Sequence, residues 1–351
     1  MSEELLLWLG ESKVPVKANR KTDLVMDSVI NYYNSPSPSI LYQAGKLFLD
    51  CGAFTARQQG VVLERNRVVE IQELFMPDKA VPLDFPFGPG MSVSFMARLW
   101  QNTKENIIFW QNSTKLQGKI VPVLHAWSKK SLMSNLMWLQ READTDMIML
   151  GSLVNPDFAD FSGFFGDRQP RRELVDMLSL GIEAVRCFTD FKVHVTGLGS
   201  SPLSLHLAYY LGADSTDSAG YRRKAAYGKI ILPGTGERYV SDRSANFGTA
   251  RIEDSLELMW LKRCDCPICS SNPDLLLNDW KARAIHNEHI IKKERQLAHD
   301  LLRIGEDAYE AYLDRIFSRS GLNHLWEYAK LRKKYTRISQ VLFGGKQWKQ
   351  K

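Results

Sequence analysis

The 351-residue sequence has no long apolar run. None of its stretches approaches the roughly 20 residues that cross a bilayer. The N-terminal "LLLWL" is short, follows Glu3 and Glu4, and has no basic residues before it, so it is not read as a signal peptide. The sequence has no internal repeat and no low-complexity segment. No GxGxxG follows the first strand-like run, which removes the usual mark of a dinucleotide-binding open sheet. No strand-end lysine is suited to a Schiff base, which argues against an aldolase-type barrel enzyme. Cysteine is scarce: there are five, three of them between positions 264 and 269. That distribution does not suit a secreted disulfide framework. Together these absences predict a soluble chain in reducing cytoplasm, with no membrane partner.

What is present is ordinary in bulk. Apolar residues make up 44% and charged residues 25%, so the chain can bury a core without staples. The formal net charge of +6 is mild, but its placement is uneven. No acidic residue follows Glu327, whereas Lys330, Arg332, Lys333, Lys334, Arg337, Lys346, Lys349 and Lys351 do. A second cluster, "YRRKAAYGK", holds Arg222, Arg223, Lys224 and Lys229. A charge run alone is most often a solvated surface. Two runs interleaved with Tyr221, Tyr227, Tyr335 and Trp348 point towards a phosphate-rich partner.

Short, near-continuously apolar runs recur: "KLFLDCG", "AVPLDFPF", "KIVPVLHAW", "DMIMLGSLV" and "KVHVTGLGS". Such runs fit strands buried on both faces. Helical spacing lies between some of them, as in "RRELVDMLSLGIEAVRCFTDF" and "SPLSLHLAYYLG". The alternation predicts an α/β fold, a parallel sheet closed into a (β/α)8 TIM barrel. From about Asn272 onward the pattern becomes helical and charged. Segment 1–40 offers no readable motif. The loop "VNPDFADFSGFFGDRQPR" reads either as a lid or as a packed surface loop.

In such a fold the chemistry sits where strands end. Asp50 closes "KLFLD", and Asp217 lies in "GADSTDSAGY". Strand-end aspartates often serve only as caps or turn formers. Here both are followed by small residues that let a ligand approach. The cluster "CDCPIC", with Cys264, Cys266 and Cys269, is open to a metal-binding or a redox reading at this point.

Six of these segments, taken in order from about residue 45 to 290, resemble the tRNA-guanine transglycosylase superfamily. "LDCGAF" is similar to the family's D-S-G-G/S-F/Y segment, and "PLDFPFGPG" to the archaeal L-D-I-P-T-P-P. "MLGSLV" resembles its glycine pair after a strand, and "VHVTGLGS" its G-x-G strand end. "GADSTDSAGY" resembles the archaeal nucleophile segment D-x-F-D-S-A-x-Y. "CDCPIC" followed by "AIHNEH" matches the family's C-x-C-x-x-C…H-N zinc site. The resemblance implies a structural Zn2+ held by Cys264, Cys266, Cys269 and His286, with His289 one turn on as the fallback. Three thiolates need such a fourth ligand to complete a tetrahedron. Cys51, where the family has serine, and Cys187 are expected to be ordinary unpaired thiols.

The resemblance also implies a double displacement at a glycosidic carbon. Asp217 would attack C1′ and hold the sugar covalently, while Asp50 would handle protons, as in a retaining glycosidase. Phe54 matches the base-stacking aromatic. Asp84 matches the carboxylate that reads the guanine N1/N2 edge. Gly151, Ser152 and Leu153 would meet the 7-substituent of a 7-deazaguanine, and Gly197 the base. His125 stands where the family has glutamine; it is expected either to donate to O6 or to be a core histidine. The family's tRNA-binding C-terminal domains have no room in this chain.

The expected arrangement is a barrel core over residues 1–255 with an inserted zinc-binding subdomain over 256–300. C-terminal helices completing the barrel and a basic tail follow over 301–351. The DNA-guanine transglycosylase branch fits best, with guanine flipped out of the stack. Arg222, Arg223, Lys224, Arg332, Lys333 and Lys334 would grip phosphates. Helper proteins that open the duplex are possible partners. The alternatives are a tRNA-guanine transglycosylase and an inactive, zinc-stapled nucleic-acid-binding subunit.

Overall fold

The computed structural model describes residues 4–34, 43–88, 90–153, 172–240 and 255–343. The chain divides into two compact units. One, called here the carboxylate unit, comprises Glu11–Thr196, Leu211–Ala213 and Glu327–Lys351. The other, the cysteine unit, comprises Met1–Gly10, Gly197–Tyr210 and Asp214–Trp326.

The carboxylate unit alternates strand and helix. Its strands are β2 (Asn19–Ser28), β3 (Gln43–Asp50), β4 (Lys79–Ala80), β5 (Val123–Ala126), β6 (Met147–Leu153) and β7 (Lys192–Val195). Its helices are α1 (Ala53–Gln58), α2 (Arg65–Phe75), α3 (Val93–Ser113), α4 (Lys129–Glu142) and α5 (Arg172–Phe188). β2 pairs in parallel with β3, and β3 with β4. A parallel bridge from Ala80 to Ile120 extends the ladder into the residues just before β5. β5 then pairs with β6, and β6 with β7, again in parallel. Parallel strands covered on both faces need apolar side chains throughout. Phe48, Leu49, Leu124, Ile148 and Val193 are accordingly fully buried. Each such side chain contributes about 1.5–3 kcal/mol relative to exposure.

Local signals set the helix starts. The Ser92 hydroxyl accepts from Phe95 N–H at 3.3 Å, and Ser128 with Ser131 forms a reciprocal cap on α4. α2 and α3 also pin the strand ends. Gln72 Nε2 donates to Leu49 O at 3.3 Å and to Val81 O at 2.9 Å, and Trp110 Nε1 donates to Gln72 Oε1 at 2.7 Å. Only Lys79–Ala80 of the region "KAVPLDFPF" is a strand; the residues after it belong to no helix or strand.

The cysteine unit holds a parallel pair, β1 (Leu6–Gly10) with β8 (Ser215–Ser218), in register Trp8 to Asp217 and Leu9 to Ser218. A short antiparallel hairpin joins β9 (Lys229–Ile231) to β10 (Glu237–Tyr239). Its helices are α6 (Pro202–Tyr210), α7 (Gly220–Ala226), α8 (Ser255–Lys262), α9 (Pro267–Ser271), α10 (Leu275–Asn278), α11 (Trp280–Ile304) and α12 (Glu306–Phe317). A final helix, α13, spans Asn323–Phe343. The expected parallel α/β organisation is therefore present, as is the helical C-terminal region. Among the described residues, no helix is long and apolar enough to cross a membrane.

The N-terminal segment that carried no motif supplies two strands. "LLWLG" is β1, and "NRKTDLVMDS" is β2. Polar residues in the first half of β2 hide its period. Arg20 there is buried in ion pairs with Glu11 and with Asp23, the latter at 3.0 Å.

Candidate functional site

Asp50 ends β3, and the β2–β3 register sets Ser28 directly beside it. Ser28 Oγ donates to Asp50 Oδ2 at 3.2 Å, and Gly52 N–H donates to the same oxygen at 2.8 Å. The second contact is an Asx-type turn, which requires the backbone to reverse sharply. Gly52 provides that with φ +84°. A Cβ at Gly52 would lie 2.8 Å from Ser28 Oγ and 2.9 Å from Ile30 Cβ, so no larger residue fits.

Asp84 lies on the irregular stretch after β4, and its chain neighbours are held by α3. Asn106 Nδ2 donates to Leu83 O at 2.7 Å, and Phe85 N–H donates to Thr103 Oγ1 at 3.2 Å. Cys51 Sγ donates to Asp84 Oδ1 at 3.0 Å. His125 Nε2 lies 2.8 Å from Asp84 Oδ2; a carboxylate only accepts, so the ring nitrogen is the donor. Burial, followed by the charges of Asp84 and Asp50, pushes the Cys51 thiol well above its ordinary value. It remains a protonated donor.

His125 is buried on β5, where the ladder to β6 shifts register between Leu124 and Ala126. Gly151 of β6 makes room for its ring. A Cβ there would stand 2.6 Å from His125 Cε1 and 2.4 Å from Val123 Cγ1. The Phe87 ring lies 5.0 Å away, and Asn135 Nδ2 donates to His125 O at 2.8 Å. The carboxylate unit thus brings Asp50, Asp84, His125 and Gly151 into one hydrogen-bonded and packed neighbourhood. Phe54, on α1, is 42% exposed. Ser152 and Leu153 continue β6. The proposed lid segment 154–171 lies outside the described residues.

In the cysteine unit, Asp217 sits in β8 among buried Ser215, Thr216 and Ser218. Its Oδ1 accepts from Gly197 N–H at 2.7 Å. Gly197 has φ +74°, so its amide points where an ordinary residue would be strained. The surrounding backbone is tightly packed. A Cβ on Gly199 would meet Asp217 O at 2.7 Å, and one on Gly220 would meet Ser200 Cβ at 2.3 Å.

The three clustered cysteines and His286 converge in the same unit. Their ligand atoms all lie within 4.8 Å of one another. His286 Nδ1 is 3.6 Å from Cys264 Sγ, 3.5 Å from Cys266 Sγ and 3.4 Å from Cys269 Sγ. A tetrahedral ion with bonds of about 2.3 Å to sulfur and 2.0–2.1 Å to nitrogen separates those vertices by roughly 3.6 Å. The donor set therefore fits a metal ion, and all four positions are filled by protein. His286 Nε2 donates to Ile231 O at 3.0 Å, the second contact that fixes a ligating imidazole. Cys266 caps α9 by accepting from Cys269 N–H at 3.2 Å, and hydrogen bonding from Cys264 and Cys269 holds its thiol far below the ordinary value. His289, the fallback ligand, instead contacts Asp265 Oδ1 at 2.9 Å.

The same face of α11 grips the backbone around α7 and β9. Arg283 Nε donates to Ala225 O at 2.8 Å. Asn287 accepts from Ile231 N–H at 2.6 Å and donates to Tyr221 O and Lys229 O at 3.0 and 3.2 Å. Glu294 accepts from Gly234 N–H at 2.6 Å and, at 2.8 Å, from buried His206.

Of the basic candidates, Lys224 pairs with Glu237 at 2.5 Å, and Arg332 with Asp176 at 2.8 Å. Arg222 and Lys333 are partly buried, while Arg223 and Lys334 are exposed. The tail from 344 to 351 lies outside the described residues. Sequence reasoning missed two contributors, Ser28 and Cys51. Ser28 lay in a segment without a motif, and Cys51 was expected to be an ordinary thiol, whereas it holds Asp84. Its position next to Asp50 was the available signal. No protein-family model matches this chain, nor does any curated protein.

Proposed function

We propose that this chain is a DNA-guanine transglycosylase, exchanging guanine for a 7-deazaguanine base such as the 7-cyano form. Asp217 attacks C1′ of the target nucleotide, and guanine leaves as the sugar becomes covalently bound. Asp50 assists the departure and then takes the N9 proton of the incoming base. Two inversions restore the sugar's configuration, and no energy cofactor enters. Phe54 stacks on the base, and Asp84 accepts from its N1/N2 edge. Gly151, Ser152 and Leu153 face the 7-substituent.

The observation that carries this reading is the grip on Asp217. From its place in β8 it accepts a hydrogen bond from Gly197 N–H, 20 residues earlier in the chain. A nucleophile needs an orientation imposed by the rest of the fold. In the same reading, the parallel α/β organisation is that of a (β/α)8 TIM barrel. Cys264, Cys266, Cys269 and His286 hold Zn2+, whose preference for thiolate and imidazole matches the donor set. With four protein ligands, its role is structural. The basic residues near α7 and along α13 bind phosphates, those of DNA in this reading.

Guanine exchange on DNA and on tRNA with purified protein tests the proposal. Labelled guanine is expected to enter DNA, and a denaturation-resistant protein–DNA complex to disappear in Asp217→Ala. Exchange on tRNA alone would reverse the substrate. No exchange on either would favour a binding subunit.

A further inference from the structure

Each oxygen of Asp84 is engaged by a different side chain. Cys51 donates to Oδ1 and His125 to Oδ2. Both donors are themselves immobile. Cys51 is fully buried and leads into the Gly52 turn, where even a Cβ has no room. His125 is 1% exposed, its carbonyl is tied to Asn135, and its ring is packed against Gly151 and Phe87. With Nε2–H committed to Asp84, this nitrogen is not aimed at a ligand carbonyl, one of the two roles expected for His125 from the sequence. A carboxylate has about four lone-pair sites, so two donors leave one site on each oxygen.

We propose that Cys51 and His125 are positioning residues that clamp Asp84, fixing it as a paired acceptor for a ligand edge with two adjacent N–H donors, such as the N1/N2 edge of guanine. This deepens the reading above and rests on it. Both residues act through Asp84. Removing either clamp donor lets the carboxylate turn or leaves it unmatched in a buried site, and selectivity for the two-donor edge falls.

Two measurements on the full-length protein test the clamp. The first needs no ligand. The S–H stretch of Cys51, identified by its loss in Cys51→Ser, is expected at a lowered, hydrogen-bonded frequency and should rise in Asp84→Ala. The second is calorimetric binding of free guanine and of hypoxanthine, which lacks the 2-amino group. The unmodified protein is expected to prefer guanine about tenfold or more, the size of one unmatched buried hydrogen bond. Cys51→Ala and His125→Phe should lose most of that preference; Cys51→Ser and His125→Gln, which keep a donor, should retain it. Melting temperatures separate loss of selectivity from loss of fold. If either truncating variant fails to fold, its donor-retaining counterpart and the S–H band still decide. An unshifted S–H band, or guanine preference unchanged in folded Cys51→Ala and His125→Phe, overturns the clamp. Failure of the parent reading looks different: the unmodified protein then binds neither base and exchanges no guanine, and the ligand role falls with it.

Discussion

The α11 face from Arg283 to Glu294 and the trio Cys51, Asp84 and His125 are both buried polar assemblies, yet they direct their hydrogen bonds differently. On α11, Arg283, His286, Asn287 and Glu294 all bond to backbone of the 221–234 segment, Glu294 also accepts from His206 and Tyr312, and His286 meets three sulfurs on its other nitrogen. Every group there is satisfied by the protein itself. Around Asp84 the donors come from side chains and converge on one carboxylate beside the strand-end Asp50. Burying polar groups inward joins segments into a fixed body. Gathering them on one acceptor leaves capacity for something that is not protein.

The largest effect expected from breaking this contrast is on the cysteine side. Metal chelation or Cys266→Ala should lower the melting temperature by on the order of 10 °C or more, because structural metal binding is folding free energy and each kcal/mol is about 2–4 °C at this size. Hydrogen exchange should show protection lost in 220–304 but kept in β5, β6 and β7. Next comes Asn287→Leu, which strands one amide and two carbonyls in the interior. A loss of roughly 3 kcal/mol or more is expected by chemical denaturation, with no change in metal content. Gly151→Ala tests the other region. Its Cβ would press on Val123 and His125, costing about 1–3 kcal/mol by overpacking. Its effect on guanine binding should exceed its effect on stability. The smallest effect is a pH dependence. Burial opposes the charge of Glu294, but bonds from His206, Tyr312 and Gly234 hold it below the ordinary carboxylate value. A depressed pKa contributes stability that is complete above about pH 4.3 and is lost as the pH falls through the folded value. The stability gap between the wild type and Glu294→Gln should therefore be widest at neutral pH and shrink in acid. A gap that grows on acidification would contradict the assignment.

Much of this was legible because short-range patterns carried it. The apolar runs at 43–50, 123–126, 147–153 and 192–195 are strands, since strands covered on both faces cannot alternate. Three thiols call for a fourth donor, and the resemblance of "CDCPIC" and "AIHNEH" to a family zinc site pointed to His286, which does join them. What escaped depends on pairing between distant segments. Ser28 reaches Asp50 only through the β2–β3 register, and Cys51 meets a partner 33 positions further on. β2 itself escaped because buried Arg20 interrupts an apolar strand with an ion-pair cluster. The two units are discontinuous in the chain, so their boundaries leave no compositional trace at any one place.

Asp50 and Asp217 are each gripped by a glycine amide in the left-handed region, at Gly52 and Gly197. Both of these grips come from the main chain, although Ser28 Oγ adds a side-chain donor to Asp50. A laboratory selection that varies the residues around either aspartate would find nothing to retune at these two glycines. Any other amino acid there would both strain the main chain and misdirect the N–H. Each carboxylate is aimed by a main-chain amide that changes in neighbouring side chains leave in place.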